Sequence, residues 1–237
     1  MSQSFIVFLL TWGAGLTMTV GLILARIEMV HTRWLAHELQ HSVSAFGGGA
    51  LLAAVALVLV PQGIQHLSLA NVILWFGLGG LSFFVLDFSL SKIGTPAANL
   101  VAMLADFIPE ALALGAAFSE KGNTGLLLAI LVALQNIPEG FNAYREVKKF
   151  PHFSESQITV IFLGLSLLGP IAGLTGYFWL VQFPSVVSAI MLFASGGILY
   201  LVFQDIAPQG HLKKAWAPPL GAVLGFLLGL IGHILLH

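Results

Sequence analysis

The feature that most constrains this chain is a series of eight long apolar runs joined by short polar connections. A bilayer has a hydrocarbon core of about 30 Å, which an α-helix crosses with roughly 20 apolar residues. By that measure, helices lie at about 4–25, 38–61, 70–91, 96–118, 124–147, 157–181, 185–207 and 217–236. The sequence therefore predicts an all-α polytopic membrane protein with eight transmembrane helices, which we number spans 1 to 8.

Composition supports a membrane protein and excludes several other classes. Of the 237 residues, 58% are hydrophobic and 8% are charged, whereas a soluble domain has about 25% charged residues. No connection is long enough for a separate soluble domain, so residues 1–237 are expected to form one transmembrane domain. The nine Lys and Arg form no basic face, which argues against a nucleic-acid partner. The chain has no Cys, which excludes disulfides and thiolate metal ligands.

The positive charges predict how the chain is oriented. If the N-terminus is outside, only Lys121 falls in an outer loop. The inner loops then hold Arg26, Arg33, Lys92, Arg145, Lys148, Lys149, Lys213 and Lys214. Because cytoplasmic loops are rich in Lys and Arg, we expect both termini to be extracytoplasmic. The first run has neither a positive segment before it nor an A-x-A site, so we expect a retained helix and not a cleaved signal. We place this multi-pass protein in the plasma (inner) membrane.

Two similar polar segments interrupt spans 4 and 5. They read Asp106-Phe-Ile-Pro-Glu110 and Gln135-Asn-Ile-Pro-Glu139. Residues four apart lie on one face of a helix, and both segments fall near the middle of their spans. Two antiparallel helices with these faces turned toward each other would bring four oxygen-bearing side chains to one point.

The acidic side chains of these segments must be neutralised by a bound cation or by protons. Acidic side chains at bilayer depth are costly, by at least ~2.5 kcal/mol each on insertion scales, and no Lys or Arg lies at this depth to pair with them. Pro109 and Pro138 each remove one helical hydrogen bond, so we expect broken helices beside the acids. Broken helices at mid-membrane commonly hold ions in transporters. The alternative is two proline kinks with protonated acids.

With these segments the chain resembles the ZIP (ZRT/IRT-like) divalent metal transporters, which carry a His-Asn-x-Pro-Glu type motif in their fourth span and a related motif in their fifth. The resemblance extends to "SAFGGGALLAAVALVLVP" in span 2, "LSLLGPIAGLTGY" in span 6 and "ASGGILYLVFQDIAPQ" in span 7. It implies a ZIP-type bundle, a homodimer, no tightly bound cofactor, no enzymatic activity and transport of a divalent metal into the cytoplasm.

The resemblance also implies a set of metal ligands. The first metal position of the family corresponds to Asp106, Glu110, Gln135 and Glu139, with Asp106 in place of the usual His. Family members often hold a second, adjacent metal. Its ligands would fall at Phe107, Asn136 and Gly169; since Phe107 cannot ligate and Gly169 has no side chain, we expect a single site and give Asn136 a lesser place.

The exchange of His for Asp106 leaves a site made only of oxygen. Imidazole favours borderline ions such as Zn²⁺, whereas carboxylate and carbonyl oxygens suit harder ions such as Mn²⁺. Zn²⁺ is the metal that the resemblance implies, and Mn²⁺, Fe²⁺ and Cd²⁺ are further candidates.

A competing motif, "HELQH" at 37–41, leaves a second function open. On a helix, H-E-x-x-H places His37 and His41 on one face to bind Zn²⁺, with Glu38 as the general base of a metalloprotease. An intramembrane protease would also need a third ligand, for which Asp87 is the best candidate. The other interpretations of His37 and His41 are an auxiliary metal relay and two histidines that are solvated at the membrane interface.

Four further polar residues have milder interpretations. Asp87 is expected to bond a neighbouring helix, or else to face the pathway, and Asn142 is a candidate for the pathway wall. Asp205 and His211 are read as a solvated helix end, or else as residues that guide ions outward.

Overall fold

The computed structural model describes residues 2–28, 33–93, 98–118, 124–150, 153–209 and 216–236. This part of the chain is helical and contains no strand. The helices are Gln3–Glu28, Arg33–Ala54, Val60–Gly63, Leu69–Ile93, Ala98–Ala117, Thr124–Lys148, Glu155–Ser166, Leu168–Phe178, Pro184–Leu201, Ala207–Gln209 and Ala217–Leu236, with π-helical turns at Val55–Leu59 and Val202–Ile206 and a 3₁₀ turn at Leu180–Gln182.

Eight of the resulting continuous segments are long and apolar enough to cross a membrane. They cover residues 3–27, 40–63, 69–92, 100–117, 124–148, 155–182, 184–206 and 217–236. Each overlaps one predicted span, so the prediction of an all-α multi-pass membrane protein is confirmed. Its environment is therefore a lipid bilayer, which accounts for the many large apolar side chains exposed on the outer surface.

The expected breaks in spans 4 and 5 are wrong. Pro109 lies inside the helix Ala98–Ala117 and Pro138 inside the helix Thr124–Lys148, and both helices continue past the proline. A proline removes only one hydrogen bond, and the ladder can resume in the next turn if the neighbours leave room for the ring. Gly47 of span 2 leaves that room at Pro138, because a Cβ at Gly47 would overlap the proline ring. The interruption falls in span 6 instead, between Ser166 and Leu168.

The helices form two groups of four. Spans 1, 4, 5 and 6 pack on one another, and spans 2, 3, 7 and 8 form the other group through the close pairs 2 with 8 and 3 with 7. Spans 3 and 8 lie at the periphery, with only 11% and 17% of their apolar windows buried. Span 2 packs on span 5, and span 4 on span 7, across the boundary between the groups.

Glycines bring paired helices into backbone contact. Between spans 1 and 5, a Cβ at Gly21 would overlap the carbonyl of Ile137, and one at Gly140 would overlap the carbonyl of Met18. Small residues allow this close approach in membranes, where packing replaces the hydrophobic effect. Glycines allow the same close approach in three other packed pairs: Gly49 and Gly225 between spans 2 and 8, Gly79 and Gly196 between spans 3 and 7, and Gly115 and Gly176 between spans 4 and 6.

Spans 2 and 7 end in the same unusual way. In each, a five-residue π turn is followed by a short helix with proline at its second position, "VPQG" at 60–63 and "APQ" at 207–209. Spans 1, 2 and 3 correspond to spans 6, 7 and 8, and span 4 corresponds to span 5. Under this exchange the packed pair of spans 2 and 8 becomes the packed pair of spans 7 and 3, and that of spans 1 and 5 becomes that of spans 6 and 4. Since spans five apart cross a bilayer in opposite directions, the helices follow the pattern of an inverted repeat.

Candidate metal centre

Four polar side chains from spans 4 and 5 lie buried between these two helices. Asp106, Glu110 and Gln135 are 1%, 0% and 0% exposed, and Glu139 is partly buried. Glu110 is bonded to Gln135, and Asp106 and Glu139 line the same cavity, so the four side chains lie in one region of the bundle. We call Asp106, Glu110, Gln135 and Glu139 the acid–amide cluster.

The helical pattern accounts for the cluster. Asp106 and Glu110, like Gln135 and Glu139, are one turn apart, and spans 4 and 5 pack against each other. One direct bond joins the two helices: the Gln135 side-chain nitrogen donates to both carboxylate oxygens of Glu110, at 2.5 Å each. The sequence pattern did not indicate this bond.

Most of the other cluster oxygens have no donor. Both carboxylate oxygens of Asp106, Oε2 of Glu139 and Oε1 of Gln135 are buried without a hydrogen-bond partner. A buried polar atom without a partner costs about 1–3 kcal/mol, and more if it is charged. Several such acceptors in one place are the arrangement that a cation would satisfy.

The three carboxylates do not form a coordination shell in this structure. In the described part of the chain, no three His, Asp or Glu side chains form a cluster that could hold a metal. Glu110 is bonded to the Gln135 amide in this arrangement. Binding of a metal here would require side-chain movement within the cluster.

A polar cavity of about 330 Å³ leads to the cluster. Asp106 and Glu139 line its buried part, and the exposed Lys149 lies at its other end. The remaining polar residues that line it are Gln40, Asn142, Arg145, Glu146 and Asp205. The cavity thus extends from the cluster to the end of span 5 that carries Arg145 and Lys149.

A second cavity, of about 200 Å³, adjoins the first and shares Glu146 and Asp205 with it. It is also lined by Asp87, which accepts a hydrogen bond of 2.9 Å from the Tyr200 hydroxyl of span 7. The expected helix-to-helix bond of Asp87 is therefore present. Asp205 lies within the π turn of span 7 and faces the cavities, whereas His211 lies outside the described residues.

The opposite side of the cluster is packed closed. Phe107 is 1% exposed, and a Cβ at Gly169 would lie 2.9 Å from the end of its ring and would overlap the Thr11 carbonyl. Asn136 is buried and donates from Nδ2 to the Ala14 carbonyl at 2.9 Å, which ties span 5 to span 1. Of the three positions where a second metal would be held, a ring fills one and a backbone contact closes another, while the third, Asn136, keeps a buried Oδ1 without a hydrogen-bond partner.

Asn142 lines the cavity, as predicted, and also bonds across the two helix groups. Its Nδ2 donates to Ser44 Oγ of span 2 at 3.0 Å. Asn142 is three residues after Glu139, which is the sequence signal that places it on the same face of span 5.

The competing motif cannot be assembled from the described residues. The helix Arg33–Ala54 carries positions 37 to 41, but the side chain of His37 lies outside the described part of the structure. The proposed third ligand, Asp87, is engaged by Tyr200.

Comparison with known proteins adds no family assignment. No protein-family model matches the chain, and no curated protein does. The residues of the cluster therefore carry the functional argument.

Proposed function

We propose that the chain is a divalent metal cation transporter of the ZIP type. The observation that carries this proposal is the acid–amide cluster: buried acceptor oxygens from two helices, without a described cationic partner, at the end of a cavity that reaches the surface. A divalent cation would supply the charge and the ligand contacts that these oxygens lack.

Glu110 and Glu139 are the main ligands in this proposal, and Asp106 and Gln135 complete the shell. All four donors are oxygens, which adds Mn²⁺ and Fe²⁺, and Cd²⁺ as a probe, to the Zn²⁺ that the family resemblance implies. Asn136 keeps a lesser place: its Nδ2 is bonded to the Ala14 carbonyl, and its Oδ1 is a buried acceptor without a hydrogen-bond partner.

Transport follows from the difference between the two sides of the cluster. The cavity opens at the end of the bundle that carries Arg26, Arg145 and Lys148. By the positive-inside rule that end is cytoplasmic and both termini are extracytoplasmic. The conformation is then inward-facing, and alternating access would close the cavity and open a path from the extracytoplasmic end of the bundle. We further propose a homodimer in the plasma (inner) membrane.

The test is metal uptake into proteoliposomes with Zn²⁺, Mn²⁺, Fe²⁺ and Cd²⁺, for the wild type and Glu139→Ala. The proposal expects uptake of at least one of these ions, and its loss in Glu139→Ala. Equal uptake by both proteins would refute the site.

Metal uptake and peptide hydrolysis, both measured on Glu38→Gln, separate transport from the intramembrane-protease alternative. A transporter retains uptake in Glu38→Gln, whereas a protease that uses "HELQH" needs Glu38 as its general base and would lose peptide hydrolysis.

A further inference from the structure

The Gln135 amide lies where a cation would bind to Glu110. Its nitrogen is 2.5 Å from each of the two carboxylate oxygens, so it sits between them on the open side of the carboxylate. A divalent ion chelated by both oxygens of a carboxylate takes the same place. The amide and the ion therefore compete for one position.

The orientation of the amide follows from its chemistry. The NH₂ group donates to Glu110, so the amide oxygen faces away from that carboxylate. That oxygen, Oε1, is buried and has no donor. In this state Gln135 cannot offer its oxygen to an ion held by Glu110.

The cavity gives an order to the ligands. Asp106 and Glu139 line it, whereas Glu110 and Gln135 do not. An ion that arrives through the cavity meets the oxygens of Asp106 and Glu139 first. Glu110 becomes available to it only after the amide nitrogen has moved away.

We propose that Gln135 is an amide switch, an inference that rests on the proposed function. In the metal-free protein its NH₂ group occupies Glu110. When an ion binds, the side chain draws back from Glu110 and turns about its terminal bond, which has a broad torsional preference, so that Oε1 joins the metal shell and Glu110 is released to the ion. On departure of the ion the NH₂ group returns, and Glu110 is never left buried without a partner.

The switch predicts a change at one side-chain amide. We would label the purified full-length protein with ¹⁵N in glutamine side chains and record their NH₂ signals with and without Cd²⁺, a diamagnetic probe. The Gln135 signal is assigned by its loss in Gln135→Met, or in Gln135→Asn if the Met variant does not fold. The Gln62 side chain, which lines a separate small cavity, is the internal control.

The expected result is a Gln135 NH₂ signal that is protected from solvent exchange without metal and moves on addition of one equivalent of Cd²⁺, while the Gln62 signal stays. Saturable Cd²⁺ binding with an unmoved Gln135 signal would overturn the switch and leave the proposed function intact. Absence of Cd²⁺ binding in a parallel titration would overturn both.

Discussion

The two sides of the acid–amide cluster are built from adjacent residues and yet have opposite character. Asp106 faces a polar cavity, whereas its neighbour Phe107 is packed against Gly169. On span 5, Gln135 bonds to Glu110, and its neighbour Asn136 bonds to the Ala14 carbonyl. A step of one residue turns a side chain by about 100° around a helix. A single position therefore separates a residue that can meet an ion from one that closes the bundle.

This comparison indicates how one cluster can be open on one side at a time. The open side needs polar residues and space, and the closed side needs close packing at Thr11, Phe107 and Gly169. The following predictions test each side separately.

Among substitutions that keep the size of the side chain, the largest effect is expected on the open side, in Asp106→Asn. The change keeps the size of the side chain but removes a negative charge whose two oxygens have no other partner. We expect metal affinity, measured by calorimetric titration with Cd²⁺, to fall about a hundredfold, or ~2.7 kcal/mol.

Phe107→Leu is the matched control on the closed side. It should change affinity by less than about twofold, while lowering stability by up to about 1.5 kcal/mol, because its effect is on packing. If both variants lowered affinity equally, the contrast between the two sides would be wrong.

The next effect concerns packing, in Gly169→Ala. The added methyl group would meet the Thr11 backbone and the Phe107 ring, so the free energy of unfolding should drop by about 1–2 kcal/mol. Thermal unfolding in detergent measures this. Gly164→Ala, in the same span and with open space around it, should leave the unfolding temperature unchanged or slightly higher. A larger loss in Gly164→Ala would contradict the packing assigned to span 6.

A smaller effect is expected in metal preference, in Asp106→His. Imidazole suits Zn²⁺ better than it suits Mn²⁺, so the uptake ratio of Zn²⁺ to Mn²⁺ should rise roughly tenfold. Competition uptake with both ions in one assay gives the ratio directly. An unchanged ratio would show that preference is set away from the open side, by dehydration or gating.

The smallest effect is expected in Glu38→Gln, which lies outside the acid–amide cluster. Uptake should stay within about twofold of wild type, and no peptide hydrolysis should be found with either protein, because the proposed function is transport. A zinc protease would need Glu38 as its base. Peptide hydrolysis that disappears in Glu38→Gln would favour the protease alternative.

The fold could be predicted further than the site. Apolar runs gave all eight spans because a bilayer fixes the length of a crossing helix. The same patterns could not show that Pro109 and Pro138 are accommodated within continuous helices, because that depends on neighbours such as Gly47.

For the site, helical spacing placed the polar residues of each helix on one face, and the wall position of Asn142 followed from the same rule. The bond from Gln135 to Glu110, and that from Asn136 to Ala14, depend on side-chain conformations and helix contacts that spacing alone does not specify. The packing of Phe107 against Gly169 could not be predicted either, because the two residues are far apart in sequence and come into contact only when spans 4 and 6 pack together.

The central claim, one ion held by the acid–amide cluster, is tested most directly by counting bound metal. Equilibrium dialysis with Cd²⁺ on the purified His37→Ala/His41→Ala protein, with and without Glu139→Ala, removes the histidines of the competing motif from the count. The account predicts one tightly bound ion per chain, and none when Glu139 is replaced. An unchanged ion count in Glu139→Ala would contradict it.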